Sequence, residues 1–174
     1  MKETKKLAIS AMLVALGVAL TSVGAALEVA DLTACAIASL FVVLVYIEIG
    51  SPYTWLVWLA TSALSAILFF GSPVWSEYLL VFGIYPIIKA YIERLPKGFW
   101  WPIKLLYINV VIWVLFLFVE GLLGVAVFEA EGAVMKAVLY AVINVAFVVY
   151  DLFITTMVRV YIFKWRKRFA RFFK

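Results

Sequence analysis

The basic residues of this chain stand in three groups that are separated by long apolar stretches. Of its 15 Lys and Arg residues, all but Lys136 lie near the start, the middle or the end of the sequence. Basic residues that flank membrane spans remain on the cytoplasmic side of the bilayer. The pattern therefore predicts that both termini and the central loop are cytoplasmic, with an even number of spans between successive groups. The three groups are Lys2, Lys5 and Lys6; Lys89, Arg94, Lys97 and Lys104; and Arg159, Lys164, Arg166, Lys167, Arg168, Arg171 and Lys174.

Composition agrees with a membrane location. The chain is 68% hydrophobic and 14% charged, whereas soluble domains are about half apolar and a quarter charged. A chain of 174 residues is long enough for a single domain, so we expect one all-α integral membrane domain over residues 1–174. The net charge of +5 then belongs to a cytoplasmic basic collar, which suits an anionic inner leaflet and does not indicate nucleic-acid binding.

Six apolar segments approach the length of about 20 residues that a helix needs to cross a bilayer. Turn-forming residues separate several of them, as at Gly50-Ser51-Pro52, Gly71-Ser72-Pro73 and Leu95-Pro96-Lys97-Gly98. The sequence thus predicts a compact bundle of six transmembrane helices, followed by a basic cytoplasmic tail at 162–174. The predicted spans are residues 7–26, 32–49, 53–70, 77–91, 102–123 and 134–161.

The absence of histidine from the sequence removes the commonest general base and the commonest metal ligand. The single cysteine, Cys35, excludes an intramolecular disulfide. Nothing in the chain resembles a nucleotide-binding loop. We therefore expect no enzymatic activity, no metal and no cofactor.

Polar residues recur at helical spacing inside the last two predicted spans. A carboxylate in hydrocarbon costs about 2.5–3.5 kcal/mol on insertion scales, so it should face a cavity, a partner or water. Glu120 is the membrane carboxylate that the topology leaves at outer depth. The two polar faces consist of Asn109, Trp113, Phe116 and Glu120 in the fifth span, and of Tyr140, Asn144, Asp151, Thr155 and Arg159 in the sixth.

At outer depth, the polar groups suggest a pocket for a small molecule, and a structural hydrogen-bond network explains them about as well. The pocket would combine membrane residues with residues of the outer loops. Its predicted members are Glu120, Asn144, Tyr140, Trp113, Glu28, Trp75 and Tyr78.

At the inner boundary, charged residues of both signs predict structural pairing between helices. Asp151 or Glu48 would neutralise Lys89 or Arg159. Lys89 and Glu93 are four residues apart and can also pair on a helix surface, which contributes a few tenths of a kcal/mol.

The first span carries small residues at helical spacing: Ala11, Ala15 and Ala19. Such ladders let helix backbones approach closely in lipid. They can serve packing inside the bundle or docking of another membrane protein, and the spacing does not distinguish these uses.

With six spans, cytoplasmic ends and the segment AMLVA at 11–15, the chain resembles the substrate-binding S component of energy-coupling-factor transporters. The segments KKLAISA at 5–11 and YPIIKA at 85–90 are similar to that family in general character. The resemblance implies that Ala11, Ala15 and Ala19 dock a transmembrane coupling protein that is joined to ATPase subunits. It also implies that a vitamin-like micronutrient binds near the outer face, and that the chain resides in a bacterial or archaeal plasma membrane.

Two other functions fit the same layout. One is a membrane scaffold or assembly protein similar to the cell-shape protein MreD, with purely structural polar stripes. The other is a small autonomous transporter in which Glu120 or Asp151 relays protons.

Overall fold

A computed structural model describes residues 3–27, 30–123, 133–166 and 168, and within these ranges all regular structure is helical. A π-helical turn, Tyr78–Phe82, follows α4, and another, Tyr161–Trp165, follows α7. A short 3₁₀ turn, Lys97–Phe99, precedes α6. The α-helices are α1 Glu3–Leu27, α2 Asp31–Glu48, α3 Ser51–Leu68, α4 Val74–Glu77, α5 Tyr85–Ile92, α6 Trp100–Leu123 and α7 Ala133–Val160.

Four helical segments of the described chain are long and apolar enough to cross a membrane: Glu3–Leu27, Asp31–Glu48, Lys97–Leu115 and Met135–Trp165. The protein is thus all-helical and has the composition of a membrane-embedded chain. The predicted third span corresponds to α3, whose buried face is polar. The predicted fourth span is divided into α4, a π turn and α5. Pro86 stands in the first turn of α5, where a backbone N–H has no partner within the helix, so the missing N–H of proline costs no hydrogen bond.

The described residues form two compact units. Unit 1 contains those up to Ile88 and those from Ile154 onward, and unit 2 contains those from Lys89 to Phe153. Helix α7 contributes residues to both units.

In unit 1, α1 packs against α2 and α3 through a narrow face of small and polar residues. Gly17 lies so close to α3 that an added Cβ would stand 3.1 Å from the Thr61 Cγ2 atom. One turn further along, the hydroxyls of Thr21 and Ser65 share a hydrogen bond of 2.8 Å. From the first contact to the second, the residue number rises by four on both helices, so α1 and α3 run parallel to each other.

At one end of unit 1, the start of α1 meets the start of α3. Tyr53 donates to Glu3 Oε2 at 2.6 Å, and Lys6 pairs with Glu3 Oε1 at 2.7 Å. The α2–α3 connection lies at this same end, and Gly50 makes the turn with a φ of 109°, a conformation that favours glycine.

The segment after α7 also reaches this end of unit 1. Tyr161 donates to Glu48 Oε1 at 3.3 Å, and Arg166 Nε donates to the same oxygen at 3.0 Å. Because Glu48 is the last residue of α2, the 161–166 segment lies on the side where α1 begins.

At the other end of unit 1, α4 closes against α2 and α3. The Cys35 thiol approaches the Val74 carbonyl at 3.6 Å, and the Trp75 indole donates to the Phe70 carbonyl at 3.1 Å. Tyr78 is fully buried in the apolar core of the unit, beside residues of α2 such as Val42.

Unit 2 is built around α6 and the first part of α7. Lys104 of α6 contacts Asp151 of α7, and Asn109 further along α6 contacts Asn144 earlier in α7. Since residue numbers rise on one helix as they fall on the other, α6 and this part of α7 are antiparallel. The apolar face of α6 buries Ile108 and Ile112.

Candidate functional site

Four charged side chains meet in unit 2. Lys89 comes from α5, Glu93 follows the end of α5, Lys104 comes from α6 and Asp151 from α7. Lys89, Lys104 and Asp151 are only 4%, 3% and 2% exposed, respectively. Charged residues are seldom buried to this degree unless they are paired, so the contacts among these four groups decide what the site can do.

The four groups form a closed ring in which each ammonium contacts both carboxylates. Lys104 Nζ donates to Asp151 Oδ1 at 2.9 Å and Oδ2 at 3.1 Å, and to Glu93 Oε1 at 2.9 Å. Lys89 Nζ pairs with Glu93 Oε1 at 2.9 Å and with Asp151 Oδ1, and it donates to the Asp151 carbonyl at 3.3 Å. The ring of Lys89, Glu93, Lys104 and Asp151, called here the charge ring, is electrically neutral.

Helical periodicity brings these groups together. Lys104 precedes the buried Ile108 by four residues, so it continues the inward face of α6, and Asp151 follows the buried Phe147 by four residues on α7. Lys89 and Glu93 are also four residues apart, which places them on one side of α5 and its end.

The charge ring is suited to holding three segments in register. The electrostatic attraction among its charges offsets the hydration free energy that they lose on burial. Removing one partner would therefore leave an uncompensated buried charge. The Lys104 ammonium also stands 5.9 and 5.5 Å from the ring centroids of Trp100 and Trp101, within cation–π range. Both carboxylates are engaged by two ammonium groups, so the geometry favours a structural clasp over a proton relay.

Of the predicted inner charge group, Lys89 and Asp151 meet in the charge ring. Glu48 and Arg159 belong to unit 1, where Glu48 accepts from Arg166 and Tyr161, and Arg159 is exposed. The pairing of Asp151 with Lys89 is therefore present in the structure, while Glu48 has partners that the sequence analysis did not propose.

Sequence reasoning missed the part that Lys104 plays. The charge pattern places Lys104 among the central cytoplasmic bases, and the spacing of Glu93 predicts only a surface pair with Lys89. The signal that could have identified Lys104 is its position four residues before Ile108 and eight before Ile112, both buried on one helical face.

A second polar contact in unit 2 joins two amides. Asn109 Nδ2 donates to Asn144 Oδ1 at 3.0 Å, and Asn144 Nδ2 donates to Asn109 Oδ1 at 3.2 Å. Each amide also donates to the carbonyl four residues earlier in its own helix, Leu105 at 2.8 Å and Tyr140 at 2.9 Å. The predicted pocket residue Asn144 thus bonds to a residue of the facing polar stripe.

The other predicted pocket residues fall in different settings. In unit 2, Tyr140 is half-buried and Trp113 is 61% exposed. In unit 1, Trp75 and Tyr78 are buried at the α4 end. Glu28, together with the side chain of Glu120, lies outside the described residues.

The predicted docking residues Ala11, Ala15 and Ala19 are all exposed. They lie on the side of α1 that its neighbours leave open, because the buried face of this helix contains Ser10, Leu13, Gly17, Thr21 and Gly24. Small residues of α1 therefore form two faces, one packed inside unit 1 and one on its surface.

Comparison of the chain with protein-family models, with curated proteins and with solved structures gives no match. Within the described ranges, no group of three or more His, Cys, Asp or Glu side chains is placed to hold a metal ion. The functional argument therefore depends on the helices and on the contacts described above.

Proposed function

We propose that this protein is a six-span subunit of a bacterial or archaeal plasma membrane that binds a vitamin-like micronutrient and works with a separate ATP-driven module. In this proposal both termini are cytoplasmic, and α1 docks a transmembrane coupling protein, as in the S components that the sequence resembles. The observation that carries the proposal is the exposure of Ala11, Ala15 and Ala19 on one side of α1.

The alanine face supports docking because its residues are not used inside unit 1. Helix α1 already packs on α2 and α3 through Ser10, Leu13 and Gly17. Without a hydrophobic driving force between helices in lipid, association depends on close van der Waals contact, which small residues permit. A partner helix can therefore approach the backbone of α1 more closely at Ala11 and Ala15 than it could at leucine.

The proposed topology is supported by contacts within unit 1. The start of α1, the α2–α3 turn and the segment 161–166 lie at one end, through the contacts of Glu3 with Tyr53 and of Glu48 with Arg166. Most basic residues of this unit are close in sequence to the segments that meet at this end, as expected of a cytoplasmic side.

The solute-binding part of the proposal concerns the outer-half polar residues of the last two spans. Asn144 and Tyr140 would contribute an amide and a phenol, and Glu120 and Glu28 would favour a substrate with a cationic or hydrogen-bond-donating group. A substrate that binds Asn144 has to replace the hydrogen bonds between Asn144 and Asn109. A buried polar group left without a hydrogen bond costs about 1–3 kcal/mol.

The test compares tagged wild-type protein with Ala15→Leu, expressed in the cells that supply its partners. Ala63→Leu is the matched control, since Ala63 is an exposed alanine of α3 in the same unit. Mass spectrometry of the purified material measures co-purified ATPase subunits and retained small molecules. We expect wild type and Ala63→Leu to retain the module and Ala15→Leu to lose most of it. An equally abundant module in all three would refute docking through this face.

A membrane scaffold is the second candidate function, and the reciprocal pair of Asn109 and Asn144 favours it. In that case the polar stripe is saturated internally and needs no ligand. Purified wild-type protein that carries no small molecule, but still binds a membrane partner through the alanine face, would support the scaffold over the solute-binding subunit.

A further inference from the structure

An apolar cavity of about 570 Å³ lies in unit 1, between α1, α2 and the last part of α7 with its π-helical turn. Its walls include Ile9, Leu13, Leu40, Val43, Met157 and Val160. Lys5, Tyr161 and Trp165 complete the lining. This volume is in the range of ligand-binding sites, yet the walls offer almost no groups that could orient a polar molecule.

The cavity has the length of a lipid chain segment. Lys5 and Leu13 are eight residues apart on α1, which corresponds to about 12 Å along the helix axis. One leaflet of the hydrocarbon core is about 15 Å thick. The cavity therefore extends along most of a single leaflet.

The polar end of the cavity is positively charged. Lys5 contributes its aliphatic stem to the wall, as lysines do when their ammonium reaches the interface. In the part of the chain that the structure describes, Lys5 has no carboxylate partner, whereas the neighbouring Lys6 pairs with Glu3. Trp165 stands at the same end, and tryptophan prefers the headgroup level of a bilayer.

From the apolar walls, the one-leaflet length and the unpaired ammonium, we propose that this cavity holds an acyl chain of an anionic phospholipid, whose headgroup phosphate contacts Lys5. This lipid site is separate from the micronutrient site and from the alanine face, and it does not depend on either. Its occupant would belong to the leaflet on the side where α1 begins.

The test measures phospholipid retention by native mass spectrometry. The full chain is reconstituted in vesicles of equal parts phosphatidylglycerol and phosphatidylcholine and then extracted in mild detergent. Wild type should retain phosphatidylglycerol in preference to phosphatidylcholine. Lys5→Ala should reduce that preference about fivefold, which corresponds to about 1 kcal/mol for one basic residue near an anionic surface. Lys97→Ala, which removes an exposed lysine elsewhere, should leave the preference unchanged.

A second pair of variants tests the cavity itself. Met157→Trp places a large ring in the cavity and should abolish retention, while Val149→Trp, at a 61% exposed position of the same helix, should not. If Met157→Trp does not fold, the Lys5 comparison still decides the proposal. Equal retention of the two lipids by wild type, or unchanged retention in Met157→Trp, would overturn it. A dimer that carries no lipid would overturn it as well, because a second copy would then cover the cavity.

Discussion

Asp151 on α7 accepts hydrogen bonds from the Lys104 ammonium on α6 through both of its carboxylate oxygens, at 2.9 and 3.1 Å. The same carboxylate also pairs with Lys89, so one buried anion compensates two buried cations together with Glu93. Asp151 is also the least exposed member of the charge ring, so water can replace its contacts less readily than those of Glu93.

Asp151→Asn should destabilise the protein more than Glu93→Gln. Removing the buried Asp151 carboxylate leaves the two ammonium groups with only Glu93 as a counter-charge, a net excess of one positive charge, and breaking a buried ion pair costs about 3–5 kcal/mol. The Glu93 side chain is 33% exposed, so water can solvate the ammonium groups in place of its carboxylate. We therefore expect Glu93→Gln to lower the free energy of unfolding by about 1 kcal/mol. Unfolding in detergent, followed by circular dichroism, measures both variants. A larger effect for Glu93→Gln would show that the ring is not held mainly by Asp151.

The amide pair should behave as a coupled unit. Asn109→Leu or Asn144→Leu alone leaves the partner amide without its cross-helix bond, whereas the double leucine variant removes both polar groups together. We expect the double variant to lose less stability than the sum of the singles, by about 0.6 kcal/mol, a typical interhelical coupling in membranes. Strict additivity of the three unfolding free energies would contradict this coupling.

Gly83→Ala should be among the more damaging small substitutions in unit 1. A Cβ at Gly83 would stand 2.8 Å from Trp58 Cδ1 and 2.9 Å from the Tyr78 carbonyl oxygen, so either the backbone or the indole must move. Overpacking of this kind costs about 1–3 kcal/mol. Gly98→Ala is the control, since nothing lies within 4 Å of its added Cβ. Thermal unfolding midpoints compare the two, and equal midpoints would indicate that α4 and its π turn rearrange freely.

Cysteine labelling of intact cells tests the proposed topology. Gly71→Cys and Gly98→Cys both place a thiol in open space, while the native Cys35 is 0% exposed, so wild-type protein serves as the unlabelled control. A membrane-impermeant thiol reagent should label Gly71→Cys directly, and Gly98→Cys only after permeabilisation. Labelling of both positions from outside would exclude six spans with cytoplasmic ends.

Helix positions were largely predictable because turn residues and apolar runs act locally. The GSP segments at 50–52 and 71–73 bound α3, whose observed range is Ser51–Leu68. The region after it was less predictable. A single span over 77–91 becomes α4, a π turn and α5, because the indole of Trp58 donates to the carbonyl of Leu79 and Tyr78 enters the core.

The amino-acid sequence by itself determined the helical, membrane-type character of this protein, since hydrophobic length and turn chemistry depend on neighbouring residues alone. It also predicted, as one of the alternatives, that Lys89 pairs with Asp151. Only the tertiary structure decided that Lys104 and Glu93 complete their ring, that Asn109 faces Asn144, and that Ala11 and Ala15 stay exposed. Those outcomes depend on how each helix is rotated about its axis, and rotation is set by packing against other helices, which no single segment encodes.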